Sequence, residues 1–240
     1  MDTTATAAFP TTSPASATPV RLAVVSGGLG EPSLTARLAT RLGDAAQAHL
    51  ERHGLSVETD TVLLRPLAVP VAQAHVGPAR DPRLESALES VLAAHAVVAT
   101  VPTYKGAAAG LAHAFWELVE DGALHGVPAL LGATGGTARH SLAIDTSLRP
   151  LFAQLGALTL PRGVFAATDD WGGGPASADG TAALDRRIDA AGRALAEAVL
   201  RTRALAGGLP AGAAGPADAG AEGEAPPPSI TPFDAILGRR

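Results

Sequence analysis

The sequence predicts a doubly wound α/β domain, a parallel sheet of five strands with helices on both faces. Two observations carry that prediction. Short runs rich in Val, Leu and Ala alternate with segments of helical period five times along the chain. Three of those runs end in loops of glycine and hydroxyl residues, and sheets of this class bind ligands past the carboxyl ends of their strands. No internal repeat points to a different architecture.

Strands are expected over residues 22–26, 57–64, 96–101, 127–132 and 163–167. The helical stripes between them run through Leu34, Leu38, Leu42 and Ala46, then Leu84, Leu88 and Leu92, then Leu111, Phe115 and Leu118, then Leu148, Phe152 and Leu155. The last stripe is Leu184, Ile188, Ala191, Leu195 and Val199. Pro150 falls inside the fourth stripe and predicts a kink near Arg149. With strand order 2-1-3-4-5, the first, third and fourth strands lie side by side and their three loops converge on one crevice.

Composition removes several function classes. The chain has 240 residues, a net charge of −5 and no cysteine. Disulfides, thiolate catalysis and cysteine-ligated zinc are excluded, and a nucleic-acid binder would need a basic stripe that the sequence lacks. No apolar run approaches the roughly 18 residues that span a membrane. Residues 1–20 carry no Lys or Arg and no continuous apolar core, so neither a signal nor a transit peptide is expected, and the expected location is cytoplasmic.

The ends differ from the middle. Residues 1–20 are mostly Thr, Ala, Pro and Ser, and residues 206–229 mostly Ala, Gly, Pro and Glu, so both are expected to be disordered. Residues 21–205 then form one domain of ordinary size. Residues 230–240 regain Ile230, Phe233, Ile236 and Leu237, an apolar tail motif that reads as a frayed end or as a docking segment for another subunit or a partner enzyme.

The first loop, SGGLGEPSLT, opens a helix. Gly28, Gly30 and Ser33 nearly spell the dinucleotide fingerprint, with serine in place of the third glycine. Ser26, Ser33 and Thr35 put hydroxyls around bare backbone N–H groups, which suits a terminal phosphate better than a pyrophosphate. Ser33 also suits the cap of the helix that Pro32 opens, and the two roles are compatible. A Walker loop would need a lysine here, and the single lysine, Lys105, stands elsewhere, beside the single tyrosine, Tyr104. That pair follows Pro102 and Thr103. It reads either as a solvated loop or as the border of a flat ligand with polar edges. Thr134, Gly135, Gly136 and Thr137 would bring backbone against the opposite edge. A flat ring on a ribityl phosphate fits all three loops.

Other candidates carry less. His49 and His53 lie one helical turn apart without a third ligand, so a solvated helix face is expected rather than a metal site. Ser26 follows a strand, but the nucleophile-elbow pattern fails at Val24. Trp116 is expected in the core or an interface. Trp171 is open between a loop plug and part of a neighbouring subunit's site.

Taken in order and spacing, SGGLGEPSLT, VPTYKGAAAGL, ATGGTARHSLAID and RGVFAATDDWG resemble the NAD(P)H-dependent FMN reductases of the flavodoxin-like fold. The likeness is greatest to the branch that supplies reduced flavin to luciferase-like and alkanesulfonate monooxygenases, and it covers residues 21–172. It implies that Ser26, Gly28, Ser33, Leu34 and Thr35 hold the FMN phosphate. Pro102, Thr103, Tyr104 and Lys105 would line the ribityl chain and ring, and Thr134, Gly135, Gly136 and Thr137 would border the isoalloxazine. It also implies NADH or NADPH as hydride donor, a homodimer or homotetramer, and a monooxygenase partner. Ala108, Ala109 and His113 depart from residues common in that family. Hydride transfer between stacked rings needs no general acid or base, so no catalytic residue is nominated; Lys105 and His140 are candidates to stabilise charge on the reduced flavin, His140 equally a backbone-bonded helix start. Two further readings share the fold and cofactor: a flavodoxin-like electron carrier or regulatory flavin protein, and a quinone or azo reductase.

Overall fold

The computed structural model describes residues 18–77, 81–172 and 177–208. The expectations for residues 1–17 and 209–240 lie outside these.

The first apolar run forms β1 (Val20–Ser26) and leads into the 19-residue helix α1 (Leu34–Arg52). β2 (Val57–Leu63) follows, then α2 (Ala68–Val76), α3 (Pro82–Leu92) and β3 (Ala96–Tyr104). A two-residue strand β4 (Ala107–Ala108) precedes α4 (Gly110–Trp116) and β5 (Pro128–Gly135). α5 (Arg149–Gln154), β6 (Leu158–Thr159), β7 (Val164–Ala167) and the 32-residue α6 (Ser177–Gly208) complete the chain. The central path is β2-β1-β3-β5-β6, with β7 also on β5, and every pair along it is parallel. The expected flavodoxin-like order is therefore present, with the fifth position shared by two short strands. β4 is the antiparallel exception, paired with β3.

Alternation along the strands feeds two cores, as a double-faced sheet requires. Leu22, Val24 and Val98 pack with Leu38, Leu42, Leu184, Ile188 and Leu195 of α1 and α6. Ala23, Val25 and Val97 face α2 to α5 through Val71, Leu84, Leu88, Phe115 and Phe152. Trp116 is a core residue, its ring 5.3 Å from Phe115 and 4.6 Å from Phe152 in edge contacts. Each of the buried Val, Leu, Ile and Phe side chains contributes about 1.5–3 kcal/mol by leaving water. α6 crosses α1 at Gly192, where a Cβ would stand 2.7 Å from the Ala45 carbonyl carbon; the helix backbones are too close for any side chain.

Several expectations are corrected. β3 and β5 run three residues past their expected ends, so Pro102, Thr103, Tyr104, Thr134 and Gly135 lie on strands rather than in loops. α2 has no charged residue and a proline in its first turn, which hid its period. Pro150 stands where the expected irregularity falls: the helical stretch changes from a π-helical turn at Ile144–Leu148 to α5 at Arg149, and Pro150 is in the first α turn. Leu92 is exposed. His49 is buried, not solvated, and its Nε2 lies 2.9 Å from Asp189 Oδ1 on α6; among the described residues no metal-ligand cluster exists. α6 continues to Gly208. No described helix is long and apolar enough to cross a membrane.

At the amino end of the sheet the Arg21 N–H donates to His95 Nδ1 (2.9 Å), which needs the neutral ring. Burial, with the charges of Arg21 and Arg203, holds His95 below its ordinary value of 6.5. The unfolded chain therefore takes up this proton first as pH falls, so the stability that the neutral ring provides is present at neutral pH and is lost from about 6.5 downward. Urea titrations between pH 8 and 5 should show that decline, and His95→Gln should flatten it.

Candidate functional site

The strands end at different heights. Ser26 is level with Thr100, and Pro102 with Thr134. Tyr104 stands four residues beyond Thr100, about 13 Å at 3.3 Å per residue, so β3 and β5 form a wall above the end of β1. The loop after β1 occupies the step, and α1 begins against the wall.

That loop is tied from within. Ser26 is buried and its Oγ accepts the Gly28 N–H (3.3 Å). A Cβ on Gly28 would lie 2.1 Å from Ser33 Oγ, so only glycine lets the loop fold over the helix start. Ser33 caps α1, its Oγ accepting the Ala36 N–H at 3.1 Å. A hydroxyl that accepts one bond still has its own proton to donate. The Arg37 N–H goes to Ser33 O, whereas the N–H groups of Leu34 and Thr35 have no partner among the described residues.

The hydroxyl of Thr35 turns inward. Thr35 and Thr134, 4% and 7% exposed, share a 2.7 Å hydrogen bond that pins the first turn of α1 to the end of β5. Thr100 Oγ1 donates to the carbonyls of Thr35 (3.3 Å) and Val25 (3.4 Å). Thr100 was missed in the sequence, although a threonine inside the apolar run AVVATV signals a buried hydroxyl that must find a partner.

On the wall, Thr103 Oγ1 is buried without a partner among the described residues. Tyr104 is 52% exposed. Lys105 and Gly106 form the two-residue turn between β3 and β4, with φ of +53° and +82°, the positive values that a type I′ hairpin demands. Lys105 is thus an exposed hairpin tip. Gly136 opens onto free space, and Thr137 Oγ1 accepts the Arg139 N–H at 3.0 Å. His140 is exposed, its backbone N–H on Thr137 O at 3.2 Å.

A sequence profile of NADPH-dependent FMN reductases matches residues 20–172. The chain belongs to that family. The reductase is 38% identical over 149 residues to the NADH-dependent FMN reductase SfnE of Pseudomonas putida, covering 62% of this chain and 77% of that protein. It is 33% identical over 157 residues to an FMN reductase (NADPH) of Pseudomonas aeruginosa, covering 64% and 80%. Among solved structures, an oxidoreductase from Corynebacterium diphtheriae shares 33% identity with a TM-score of 0.70, over 76% of this chain and 98% of that one. The apo form of the NADH:FMN oxidoreductase EmoB shares 25% identity with a TM-score of 0.56, over 71% and 87%. The reductase is accordingly an oxidoreductase that uses FMN with a reduced nicotinamide nucleotide.

The crevice fits that cofactor. The donors left free at Ser33, Leu34 and Thr35 match a phosphate, and the orphaned Thr103 hydroxyl faces a need that a polar ligand on the wall would meet. A cavity of about 710 Å³ between α6, β7 and the Ser141–Asp145 stretch shares none of these residues. It is lined by Leu142, Ile144, Leu160 and alanines of α6, with Ser141, Asp145, Arg162 and Arg187 at its polar positions, and the Arg187 guanidinium is already engaged by the Phe165 carbonyl and Asp170.

Thr134→Val should leave the Thr35 hydroxyl buried without its partner and cost about 1–3 kcal/mol in urea unfolding. The Thr35→Val, Thr134→Val double variant should lose less than the sum of the singles, because the pair acts as a unit.

Proposed function

We propose that the crevice binds FMN with its phosphate on the Leu34 and Thr35 N–H groups and the Ser33 hydroxyl, and that the protein supplies reduced FMN to a luciferase-like monooxygenase. The free donors at the start of α1 carry this reading, helped by the positive end of the helix dipole. Ser26 and Gly28 act beneath the phosphate, holding the loop in its folded-over shape. Pro102, Thr103 and Tyr104 line one side of the ribityl chain and ring, with the Thr103 hydroxyl satisfied by the ligand. Thr134 contributes through Thr35, while Gly135, Gly136 and Thr137 bring main chain to the ring edge. Lys105 and His140 stand exposed on either side, placed to balance charge on the reduced ring.

The chemistry that bound FMN supplies is acceptance of a hydride from the nicotinamide; the side chains position both rings and keep water away. Tyr104, half exposed beside the wall, gives the nicotinamide side an apolar surface. The role as a supplier follows the likeness to FMN reductases, and a homodimer or homotetramer is the proposed assembly.

Oxidation of NADH and NADPH followed at 340 nm should require added FMN. Ser33→Ala should raise the FMN concentration for half-maximal rate about tenfold, one charge-assisted hydrogen bond, with a smaller effect on the maximal rate. Addition of a luciferase-type monooxygenase and aldehyde should then give light that depends on this protein. Flavin binding without nucleotide oxidation would replace the reductase reading with an electron carrier.

A further inference from the structure

We infer that Arg37, stacked on Trp171, supplies the positive charge that the FMN phosphate meets at the start of α1. The inference rests on the phosphate reading above and adds a residue that lies outside the glycine-serine loop.

A charge count within that loop makes the case. Between Ser26 and Thr35 the only ionisable side chain is Glu31, and its carboxylate is paired with Arg65. The loop therefore offers hydrogen bonds and no net positive charge, while a phosphate monoester carries about −1.5 to −2 at pH 7. The nearest cations along the helix are Arg37 and Arg41, four residues apart and so on one face. Arg41 is taken by Asp185 of α6. Arg37 makes no side-chain hydrogen bond or ion pair among the described residues.

Trp171 decides where Arg37 sits. Its ring belongs to the 3₁₀ turn Thr168–Trp171, which follows β7 at the ligand side of the sheet. The Arg37 Cζ lies 5.2 Å from the ring centroid and the Arg41 Cζ 6.0 Å. Stacking uses the flat face of a guanidinium and leaves its N–H edge free for an anion, and it restricts a side chain that would otherwise lose much rotamer freedom on binding. Asp170, beside Trp171, does not draw Arg37 away, because it accepts from Arg187 (2.6 Å) and from the Ala167 N–H (2.8 Å). Side chains on a helix lean toward its amino end, so Arg37 leans over the turn that holds the free N–H groups of Leu34 and Thr35.

The test compares FMN with riboflavin, which has the same ring and ribityl chain and no phosphate, by titrating flavin fluorescence. Wild type should bind FMN more tightly than riboflavin. Arg37→Gln should lose about tenfold in FMN affinity and keep its riboflavin affinity, and Arg37→Lys should fall between. Raising the ionic strength should weaken FMN binding to wild type more steeply than to Arg37→Gln. Arg41→Gln, which breaks the pair with Asp185 on the same ring, should leave the FMN-to-riboflavin ratio unchanged. An unchanged ratio in Arg37→Gln, or an equal loss for both flavins, would overturn the role of Arg37 while the phosphate site stands. A wild type that does not distinguish the two flavins would overturn the phosphate site and the role of Arg37 with it.

Discussion

The geometry of the crevice depends on the hydrogen bond between Thr35 and Thr134. The carboxyl ends of β1, β3 and β5 would form a stepped edge without it, but the first turn of α1 would lose its side-chain tie to β5. The bond is buried and short, and Thr100 adds a second hold through the Thr35 carbonyl. Two unspent backbone donors are thereby fixed over the step. A preorganised set of donors loses little on binding an anion, whereas a frayed helix start would have to be ordered at that moment.

The same physics explains why hydroxyl residues dominate a region that glycine patterns advertise. Gly28 is needed because the loop folds back on Ser33, and Gly106 because the β3–β4 turn needs a positive φ. Glycine shapes the chain, while Ser26, Ser33, Thr35, Thr100 and Thr134 fasten it. The similar reductases include one named for NADH and one named for NADPH.

Much of this was legible in the sequence. Buried parallel strands read as apolar runs, so β1, β3 and β5 were visible in the sequence, and the convergence of their loops followed once the flavodoxin-like order was assumed. The ends of β3 and β5 did not, since Pro-Thr-Tyr and Thr-Gly have turn-like composition, and tertiary pairing with β4 and β7 overrides it. The direction of a side chain was also hidden. Thr35 read as a donor to the ligand because nothing local says that its hydroxyl reaches a residue on a strand 99 positions away. His49 was misread for the same reason, its partner Asp189 lying on the last helix. Arg37 and Trp171 are likewise far apart in sequence, and no motif joins them.

The most direct test is an amide shift map, recorded as FMN is added to labelled protein. The largest changes should fall on Leu34, Thr35, Gly28, Thr103 and Gly136, with the Leu34 and Thr35 N–H signals moving downfield as they gain an anionic acceptor. Residues lining the separate cavity, such as Ile144 and Ala191, should stay in place. Changes centred on that cavity, with α1 unmoved, would contradict the account.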